Sequence, residues 1–321
     1  MTLRWGFLGA SRIGRSALAP AIAMAPGHVL HAVAARDPAR AAAYAAEFAA
    51  PVSHAGYQAL LDDPDVDAVY NALPTDGHTP WTIRALAAGK HVLCEKPLAM
   101  TAAEVRAMQA AEQSSGRRVM EAFCHVFHPQ IARAQALIAA GAIGRPLTMQ
   151  AHFGNTLEWE GDFRWTAAHG GGALYDLGCY ALSAMRVLSG LEPQRVSAVQ
   201  ALQGDVDATL AGMLDFGAGI AGQFTCSFAS GKSQSLTMIG TAGRLHLDWP
   251  FSTRGRETTL DSPEGIERFP VFEPYVAMVT HFGRAIAGEM PMTRGLDWSL
   301  AQAQAIDALL LAARSNTVVS L

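Results

Sequence analysis

Residues 4–14 read RWGFLGASRIG, a short apolar run that leads directly into a turn bounded by two glycines. The apolar run is typical of a buried strand, and the turn would open a helix over roughly residues 13–25. Strand, glycine turn and helix in this order begin many dinucleotide-binding βαβ units. The turn reads G-x-S-x-x-G, with Ser11 in place of the usual middle glycine, so a purely structural turn remains the alternative.

Strands and helices alternate through the first 122 residues. The pattern predicts further strands at 28–35, 67–72, 92–94 and 119–122, and helices at 38–48, 78–88 and 102–115. Alternation at this spacing indicates βαβ units and a parallel sheet. We therefore predict a doubly wound Rossmann domain over residues 1–122.

The pattern changes after about residue 123. Helices are predicted at 128–140, 170–189, 275–288 and 298–314, the last with Asp297 as N-cap. A long strand at 146–153 and a series of short strands between residues 195 and 261, joined by tight turns, predict a second sheet. Residues 123–321 are thus expected to form an α+β domain with an antiparallel or mixed sheet.

The composition excludes several classes of protein. Of 321 residues, 50% are hydrophobic and 16% are charged, and the net charge is −4. The length favours two domains, and the low charge suggests that oligomer interfaces cover apolar surface. No basic patch indicates nucleic acid, and no apolar run of about 18 residues indicates a membrane span. The chain runs directly into a strand, which leaves no room for a signal peptide.

The cysteines and histidines show no metal-like spacing. The four cysteines are scattered, so neither a zinc site nor a disulfide framework is indicated, and a reducing, cytoplasmic location is expected. Histidines such as His31 and His54 are interpreted as structural or surface residues. No metal site is predicted.

Glu95-Lys96-Pro97 follows the apolar strand at 92–94. Open α/β sheets bind ligands just outside the carboxyl ends of their strands. A lysine there is costly to keep near a buried strand unless it has a use, so we expect Lys96 to point its ammonium into a ligand crevice. The alternative is a lysine that extends its charge to the surface.

The end of the second strand bears on the cofactor. It reads Ala34-Ala35-Arg36-Asp37, with Arg40 one helical turn further on. NAD sites usually carry an acid here for the ribose 2′-hydroxyl, whereas a guanidinium suits the 2′-phosphate of NADP. The arginines favour NADP, and Asp37 keeps NAD possible. Both arginines, Arg40 above all, could instead be the solvated start of a helix.

A second glycine-rich segment, residues 170–180, reads GGGALYDLGCY. Asp176 and Tyr180 are four residues apart and would share one helix face. A nearby ammonium such as that of Lys96 would lower the pKa of Tyr180 and make it a usable general base. The alternative is a buried tyrosine with a satisfied hydroxyl, and an aspartate that caps the glycine turn.

Together these motifs resemble the glucose-fructose oxidoreductase/inositol dehydrogenase/MocA (Gfo/Idh/MocA) family of two-domain dehydrogenases. The resemblance covers nearly the full length and rests on the N-terminal glycine turn, LPTDGH at 73–78, AGKHVLCEKP at 88–97, EAF at 121–123, FHPQ at 127–130 and the 170–180 segment. It implies a Rossmann domain followed by a substrate-binding α+β domain, whose open, mostly antiparallel sheet forms a homodimer or homotetramer interface.

Tyrosine at position 180, together with FHPQ, is similar to the branch that contains dihydrodiol dehydrogenases and NADP-dependent xylose dehydrogenases. The resemblance implies that Tyr180 exchanges the proton, that Lys96 assists it and that Asp176 lines the site. It also places Leu73, Pro74 and His78 around the nicotinamide, and Glu95 near its ribose. The cofactor-binding residues expected are Gly9, Ser11, Arg12, Ile13, Gly14, Arg36, Arg40, Leu73, Pro74, His78, Glu95 and Lys96.

The substrate is expected to be a sugar, cyclic polyol or diol, which exchanges hydride with nicotinamide C4. Phe123, Trp165, His169 and Tyr180 are the expected contacts. The loop at 154–165 places Trp159 and Trp165 beside Glu158 and Glu160, which suits sugar recognition, although an ordinary loop would look the same. A non-catalytic cofactor-binding regulator and an NAD-dependent glycoside hydrolase of the same fold remain alternatives.

Overall fold

The computed structural model describes residues 2–159 and 161–321, so Glu160 lies outside the described residues. The chain forms two compact units: one runs up to Phe123 and also includes Tyr275–Leu300, and the other comprises Cys124–Pro274 and Ala301–Leu321. Residues 275–300 had been predicted to lie in the second domain. They belong to the first unit because their aromatic rings pack there: the ring of Phe282 lies 5.4 Å from that of Trp5, and the ring of Trp298 lies 5.6 Å from that of Phe123.

The helices follow the predicted alternation. In the described residues they are α1 (Ala19–Met24, after a π turn at Gly14–Leu18), α2 (Pro38–Glu47), α3 (Tyr57–Leu61), α4 (His78–Ala87), α5 (Ala102–Ser115), α6 (Pro129–Ala139), α7 (Cys179–Ser189, after a π turn at Leu174–Gly178), α8 (Pro274–Ile286) and α9 (Leu296–Ser315). The predicted N-cap Asp297 lies inside the first turn of α9, because the helix begins one residue earlier; its carboxylate accepts a hydrogen bond from Gln109 Nε2 at 2.8 Å.

The first unit contains a parallel sheet in the order β3-β2-β1-β4-β5-β6. Its strands are β1 (Leu3–Leu8), β2 (His28–Ala35), β3 (Val52–Ala55), β4 (Ala68–Asn71), β5 (His91–Cys94) and β6 (Val119–Glu121). The strand order reverses between β1 and β4, and ligands of such sheets bind at the carboxyl ends beside this switch point. The segments that follow β1, β2, β4 and β5 are those predicted to bind the cofactor.

The second unit contains a mixed sheet in the order β14-β13-β12-β11-β7-β10-β9-β8-β15, in which only β7 and β10 pair in parallel among the described strands. The strands are β7 (Pro146–Gly154), β8 (Arg195–Gln203), β9 (Val206–Asp215), β10 (Ala221–Ser227), β11 (Ser233–Gly240), β12 (Arg244–Asp248), β13 (Thr258–Ser262), β14 (Gly265–Phe269) and β15 (Val319–Ser320). Helix α7 packs against β7 and β10. The predicted fold class is confirmed.

Two further observations bear on the composition. The four cysteines are all buried, and none of them forms a disulfide bond. Within the described residues, the helices lack the combination of length and apolar character that a membrane span requires.

Candidate cofactor and substrate sites

The N-terminal glycine turn has the geometry of a phosphate-binding turn. Gly9 has a φ of +94°, which favours glycine. Ser11 Oγ accepts the backbone N–H of Gly14 at 3.0 Å, so its own hydroxyl proton is left for another acceptor, such as a phosphate oxygen. A Cβ on Gly14 would lie 2.8 Å from Ser11 Oγ and from Tyr44 Oη, so this position has no room for a side chain.

The segment after β2 favours a cofactor that carries a 2′-phosphate over one with a free ribose 2′-hydroxyl. Arg36 and Arg40 are both exposed, and Arg40 Nη2 donates to the carbonyl of Ala10 in the glycine turn at 3.3 Å. Asp37, which kept NAD possible, is the N-cap of α2, where its Oδ1 accepts the N–H of Ala39 at 2.9 Å. The acid is therefore engaged by the helix, while positive charge lies beside the turn. These residues fit a dinucleotide with a 2′-phosphate.

His78 joins the loops that follow β4 and β5. The ring is buried, with Nδ1 lying 2.9 Å from the carbonyl oxygen of Pro97 and Nε2 lying 2.9 Å from that of Leu73. Burial lowers the pKa of His78, so at neutral pH the uncharged ring donates to one of the two carbonyls at a time. His78, expected beside the nicotinamide, thus connects two loops expected to surround it.

Glu95 supports the loop that carries Lys96. The Glu95 side chain is buried; Tyr70 Oη donates to its Oε1 at 2.6 Å, and the backbone N–H of Lys96 donates to its Oε2 at 3.3 Å. Burial, and then the neighbouring Glu95 carboxylate, hold the pKa of Tyr70 well above its usual value, so Tyr70 remains a donor. The peptide bond between Lys96 and Pro97 is cis, and Lys96 is partly exposed.

Sequence reasoning did not identify Glu121 as a support of this loop. Glu121 is 1% exposed at the end of β6; its Oε1 accepts the N–H of Leu98 at 2.9 Å, and its Oε2 accepts the hydroxyl of Ser299 at 2.6 Å. The loop after β5 is therefore supported by three buried side chains, those of His78, Glu95 and Glu121. The EAF motif was the available signal, because a carboxylate in an otherwise apolar strand needs partners.

In the second unit, the triple glycine makes room for a carboxylate from β9. Asp207 Oδ1 occupies the position of a Cβ on Gly172, and the carbonyl oxygen of Arg164 occupies that of a Cβ on Gly171. Asp207 Oδ2 accepts the N–H of Leu174 at 2.7 Å, and burial raises the pKa of Asp207 to about 6. Asp207 therefore anchors the helical segment that leads to Tyr180, a role that sequence reasoning missed.

Asp176 is engaged in an ion pair. Arg164 Nε lies 3.1 Å from Asp176 Oδ2, and Arg164 Nη1 lies 3.1 Å from Asp162 Oδ2. The charge of Asp176 is the largest cause of the raised pKa of Arg164. Asp176 was predicted to line the substrate site, and in the structure this guanidinium holds its orientation.

Tyr180 is partly exposed in the first turn of α7, directly after the π turn at Leu174–Gly178. Such turns are frequent at functional sites. Three rings surround it: His125 at 5.2 Å, Phe153 at 5.6 Å and Phe251 at 6.1 Å between ring centroids. The surroundings restrict the ring, while the side chain keeps access to solvent.

The loop before the triple glycine borders a cavity of about 410 Å³. Its lining residues are Trp159, Gly161, Asp162, Phe163, Trp165, Thr166 and His169. The rings of Trp159 and Trp165 lie 4.8 Å apart, and Trp165 donates its indole N–H to the carbonyl of Glu158 at 2.8 Å. Two predicted substrate residues, Trp165 and His169, therefore share one cavity.

The structure argues against the predicted contact between Phe123 and the substrate. Phe123 has no exposed surface and packs edge-on against Trp298. Its apolar ring is part of the core of the first unit.

Comparison with known proteins decides the family. The model described as "Oxidoreductase family, NAD-binding Rossmann fold" matches residues 3–123, and the model of the GFO/IDH/MocA C-terminal domain matches residues 131–246. The D-xylose 1-dehydrogenase (NADP(+)) 2 of Haloferax volcanii is 34% identical over 328 residues, which cover 99% of this chain and 100% of that protein. The chain belongs to the GFO/IDH/MocA oxidoreductase family.

Two further members are similar. The trans-1,2-dihydrobenzene-1,2-diol dehydrogenase of Sus scrofa is 36% identical over 252 residues, which cover 77% of this chain and 74% of that protein. A 3-ketoreductase from Actinomadura kijaniata, solved with NADP and TDP-benzene, superposes with a TM-score of 0.91 at 29% identity, covering 97% of this chain and 98% of that one.

These matches confirm the predicted membership of the GFO/IDH/MocA family and the predicted likeness to dihydrodiol and xylose dehydrogenases. This family member is an NAD(P)-dependent oxidoreductase, as predicted.

Proposed function

We propose that this GFO/IDH/MocA protein transfers hydride between NADP and a CH–OH carbon of a sugar, cyclic polyol or diol. The observation that carries the proposal is Tyr180, which three rings hold at the start of α7 while it stays partly exposed. A positioned phenol of this kind suits proton exchange with a substrate hydroxyl. Lys96 offers the complementary positive charge, on a loop supported by buried side chains.

In the proposed reaction the nicotinamide ring supplies the carbon that accepts or gives the hydride. During oxidation Tyr180 Oη takes the proton of the substrate hydroxyl, and during reduction it returns that proton. The Lys96 ammonium stabilises the phenolate form of Tyr180 and the negative charge that develops on the substrate oxygen. Asp176, which is paired with Arg164, lines the substrate site.

A solved relative supports the pairing of lysine and tyrosine. Structures of the Actinomadura kijaniata 3-ketoreductase include one variant in which a tyrosine is replaced by phenylalanine and another in which a lysine is replaced by alanine. The substituted lysine and tyrosine are separated by the same number of residues as Lys96 and Tyr180. We infer that Lys96 and Tyr180 act in one reaction here.

We propose that the substrate is a sugar or a similar polyol because of the cavity beside the 154–165 loop. Tryptophan rings give carbohydrates flat apolar surfaces, and Asp162 and His169 supply hydrogen-bonding groups on the same wall. The xylose dehydrogenase and dihydrodiol dehydrogenase among the relatives act on compounds that carry neighbouring hydroxyl groups, as their names state.

The test is a screen of aldoses, diols and keto-sugars with NADP(H) and NAD(H), followed at the nicotinamide absorbance band. With an active substrate, Tyr180→Phe is expected to lower kcat about 10²-fold or more. Tyr57→Phe is the control, because the Tyr57 ring packs on Trp81 in the first unit. Near-normal turnover by Tyr180→Phe would remove Tyr180 from the mechanism.

Two further measurements, of cofactor binding and of sugar release from glycosides, test the other functions. Tight cofactor binding without turnover of any compound would indicate a regulator. Release of free sugar from a glycoside without net cofactor change would indicate a hydrolase.

We further propose that the sheet of the second unit pairs with a second copy of the chain. Its outer face carries exposed Val199, Met213 and Val318 around a depression of about 630 Å³. Exposed apolar patches of this kind often mark protein interfaces. Met213→Glu should then shift the mass measured by light scattering from oligomer to monomer.

Four buried cysteines that form no disulfide bond also fit the reducing cytoplasm, which we propose as the location.

A further inference from the structure

Two histidines and two aspartates converge in the first unit, apart from every residue assigned above to cofactor or substrate. They are His31 of β2, His54 of β3, and Asp63 and Asp65 of the turn between α3 and β4. We propose that these four side chains bind one divalent transition-metal ion of the zinc class. His31, Asp63 and Asp65 each offer a ligand atom, and these atoms lie within 4.8 Å of one another.

The distances suit a shared ion. His54 Nε2 lies 3.0 Å from Asp63 Oδ2, and His31 Nε2 lies 3.7 Å from the same oxygen. Nitrogen and oxygen ligands of zinc lie about 2.0–2.2 Å from the metal, which places neighbouring tetrahedral ligands roughly 3.4 Å apart. Each imidazole therefore already lies at about this spacing from the Asp63 carboxylate, and an oxygen of Asp65 lies within 4.8 Å of the ligand atoms of His31 and Asp63.

The fold directs His31 into this cluster by a β-bulge. The pairing of β1 with β2 steps from Trp5 opposite Leu30 to Gly6 opposite Ala32, so His31 is an extra residue without a partner position in β1. A bulge re-aims the side chain of the extra residue. His31 thereby reaches the carboxylate that His54 contacts from the neighbouring strand.

The turn that carries the carboxylates is fixed by its own hydrogen bonds. Asp63 Oδ1 accepts the N–H of Asp65 at 2.8 Å, and Lys90 Nζ donates at 2.7 Å to the carbonyls of Asp63 and Val66. The Asp63 carboxylate therefore faces both imidazoles from a turn whose backbone is held in place.

The donor set determines the class of metal. Two imidazoles with carboxylates suit Zn²⁺, Co²⁺ and Ni²⁺, whereas Mg²⁺ and Ca²⁺ prefer oxygen ligands throughout. Arg4 pairs with Asp65 and would compete with the metal for it. Arg4 also bonds Asp67 through Nε and Nη2, each at 3.0 Å, so the guanidinium would keep a carboxylate partner when Asp65 binds an ion.

The test uses the full chain, stripped with EDTA and titrated with Co²⁺ and with Zn²⁺ against a chromophoric chelator. The expected result is one equivalent bound, with visible Co²⁺ absorption bands and a rise of the thermal midpoint with metal concentration. His31→Gln and Asp63→Asn should each weaken metal binding at least about 10-fold. This is the smallest loss of affinity usually seen when even a residue that only hydrogen-bonds a metal ligand is replaced. His246→Gln, which alters an imidazole of β12 in the second unit, is the matched control.

Circular dichroism in EDTA checks that each variant folds, and His54→Gln replaces any variant that does not. The proposal fails if wild type and His31→Gln bind Co²⁺ with equal affinity and stoichiometry. It also fails if Mg²⁺ competes for the site as effectively as Zn²⁺, or if Co²⁺ and Zn²⁺ bind only at millimolar concentrations. None of these outcomes depends on turnover, so the metal site and the proposed oxidoreductase reaction are tested separately.

Discussion

The carboxylate of Asp207 occupies the space in which a side chain on Gly172 would lie. Asp207 is 4% exposed in β9 and accepts the N–H of Leu174 at 2.7 Å. The triple glycine therefore serves an internal carboxylate that holds the start of the helical segment carrying Tyr180. The triple glycine suggests a backbone that lies close to a ligand, but in this structure part of it lies close to the carboxylate of Asp207 instead.

Gly172→Ala should destabilise the protein strongly. The new methyl group would meet the Asp207 carboxylate, and the φ of +118° is unsuited to alanine. We expect a loss of about 3 kcal/mol or more, measured by urea unfolding. Gly190→Ala is the control, since Gly190 has a φ of +67° in open space and should lose only about 1–2 kcal/mol. Equal losses in the two variants would contradict the steric explanation.

Asp207→Asn should change how stability depends on pH. Burial raises the pKa of Asp207 to about 6, from a usual value of 3.8. Between these values the folded state binds more protons than the unfolded state, so this residue's contribution to the free energy of unfolding falls as pH rises from about 4 to 6. The fall amounts to about 3 kcal/mol. As pH rises from about 4 to 6, the free energy of unfolding of the variant should therefore increase relative to that of the wild type. Unfolding experiments at several pH values measure this difference, and a difference that does not change with pH would contradict the prediction.

The parallel sheet was predictable because its strands and helices alternate in type and period. The strand His28–Ala35 was predicted with its observed bounds. β3 and α3 were missed because they are short, and β3 alternates between partly buried and exposed positions. Local patterns also could not place residues 275–300, because the contact between Phe282 and Trp5 joins distant parts of the chain.

The residues of the candidate sites were also only partly predictable from the sequence. Gly9, Lys96 and Tyr180 stand in motifs whose spacing shows in the sequence. Asp207 stands in no such motif, and Glu121 was noted only as part of EAF, because a single acid in an apolar strand does not indicate which N–H groups will bond to it.

Glu121→Gln should impair catalysis through the position of Lys96. The amide oxygen can still accept the N–H of Leu98 and the amide nitrogen can donate to the hydroxyl of Ser299, but both bonds lose the charge of the carboxylate and are weaker. We expect about 1–3 kcal/mol lower stability and a kcat reduced about 10-fold, with little change in the KM for cofactor. Glu112→Gln is the control, because Glu112 Oε1 accepts the N–H of Val119 at the other end of β6. A similar fall in kcat for both variants would show a general loss of structure instead.

Arg36→Ala should change the choice of cofactor. Arg36 is exposed at the end of β2, Arg40 contacts the glycine turn, and Asp37 is engaged as the cap of α2. If Arg36 binds a 2′-phosphate, its removal should raise the KM for NADP at least 10-fold and leave the KM for NAD within about twofold, since only NADP carries that group. Arg15→Ala, which removes an exposed guanidinium paired with Glu47, should change neither value. Steady-state kinetics with both cofactors measure the four constants, and an equal rise for NADP and NAD in Arg36→Ala would mean that Arg36 does not distinguish them.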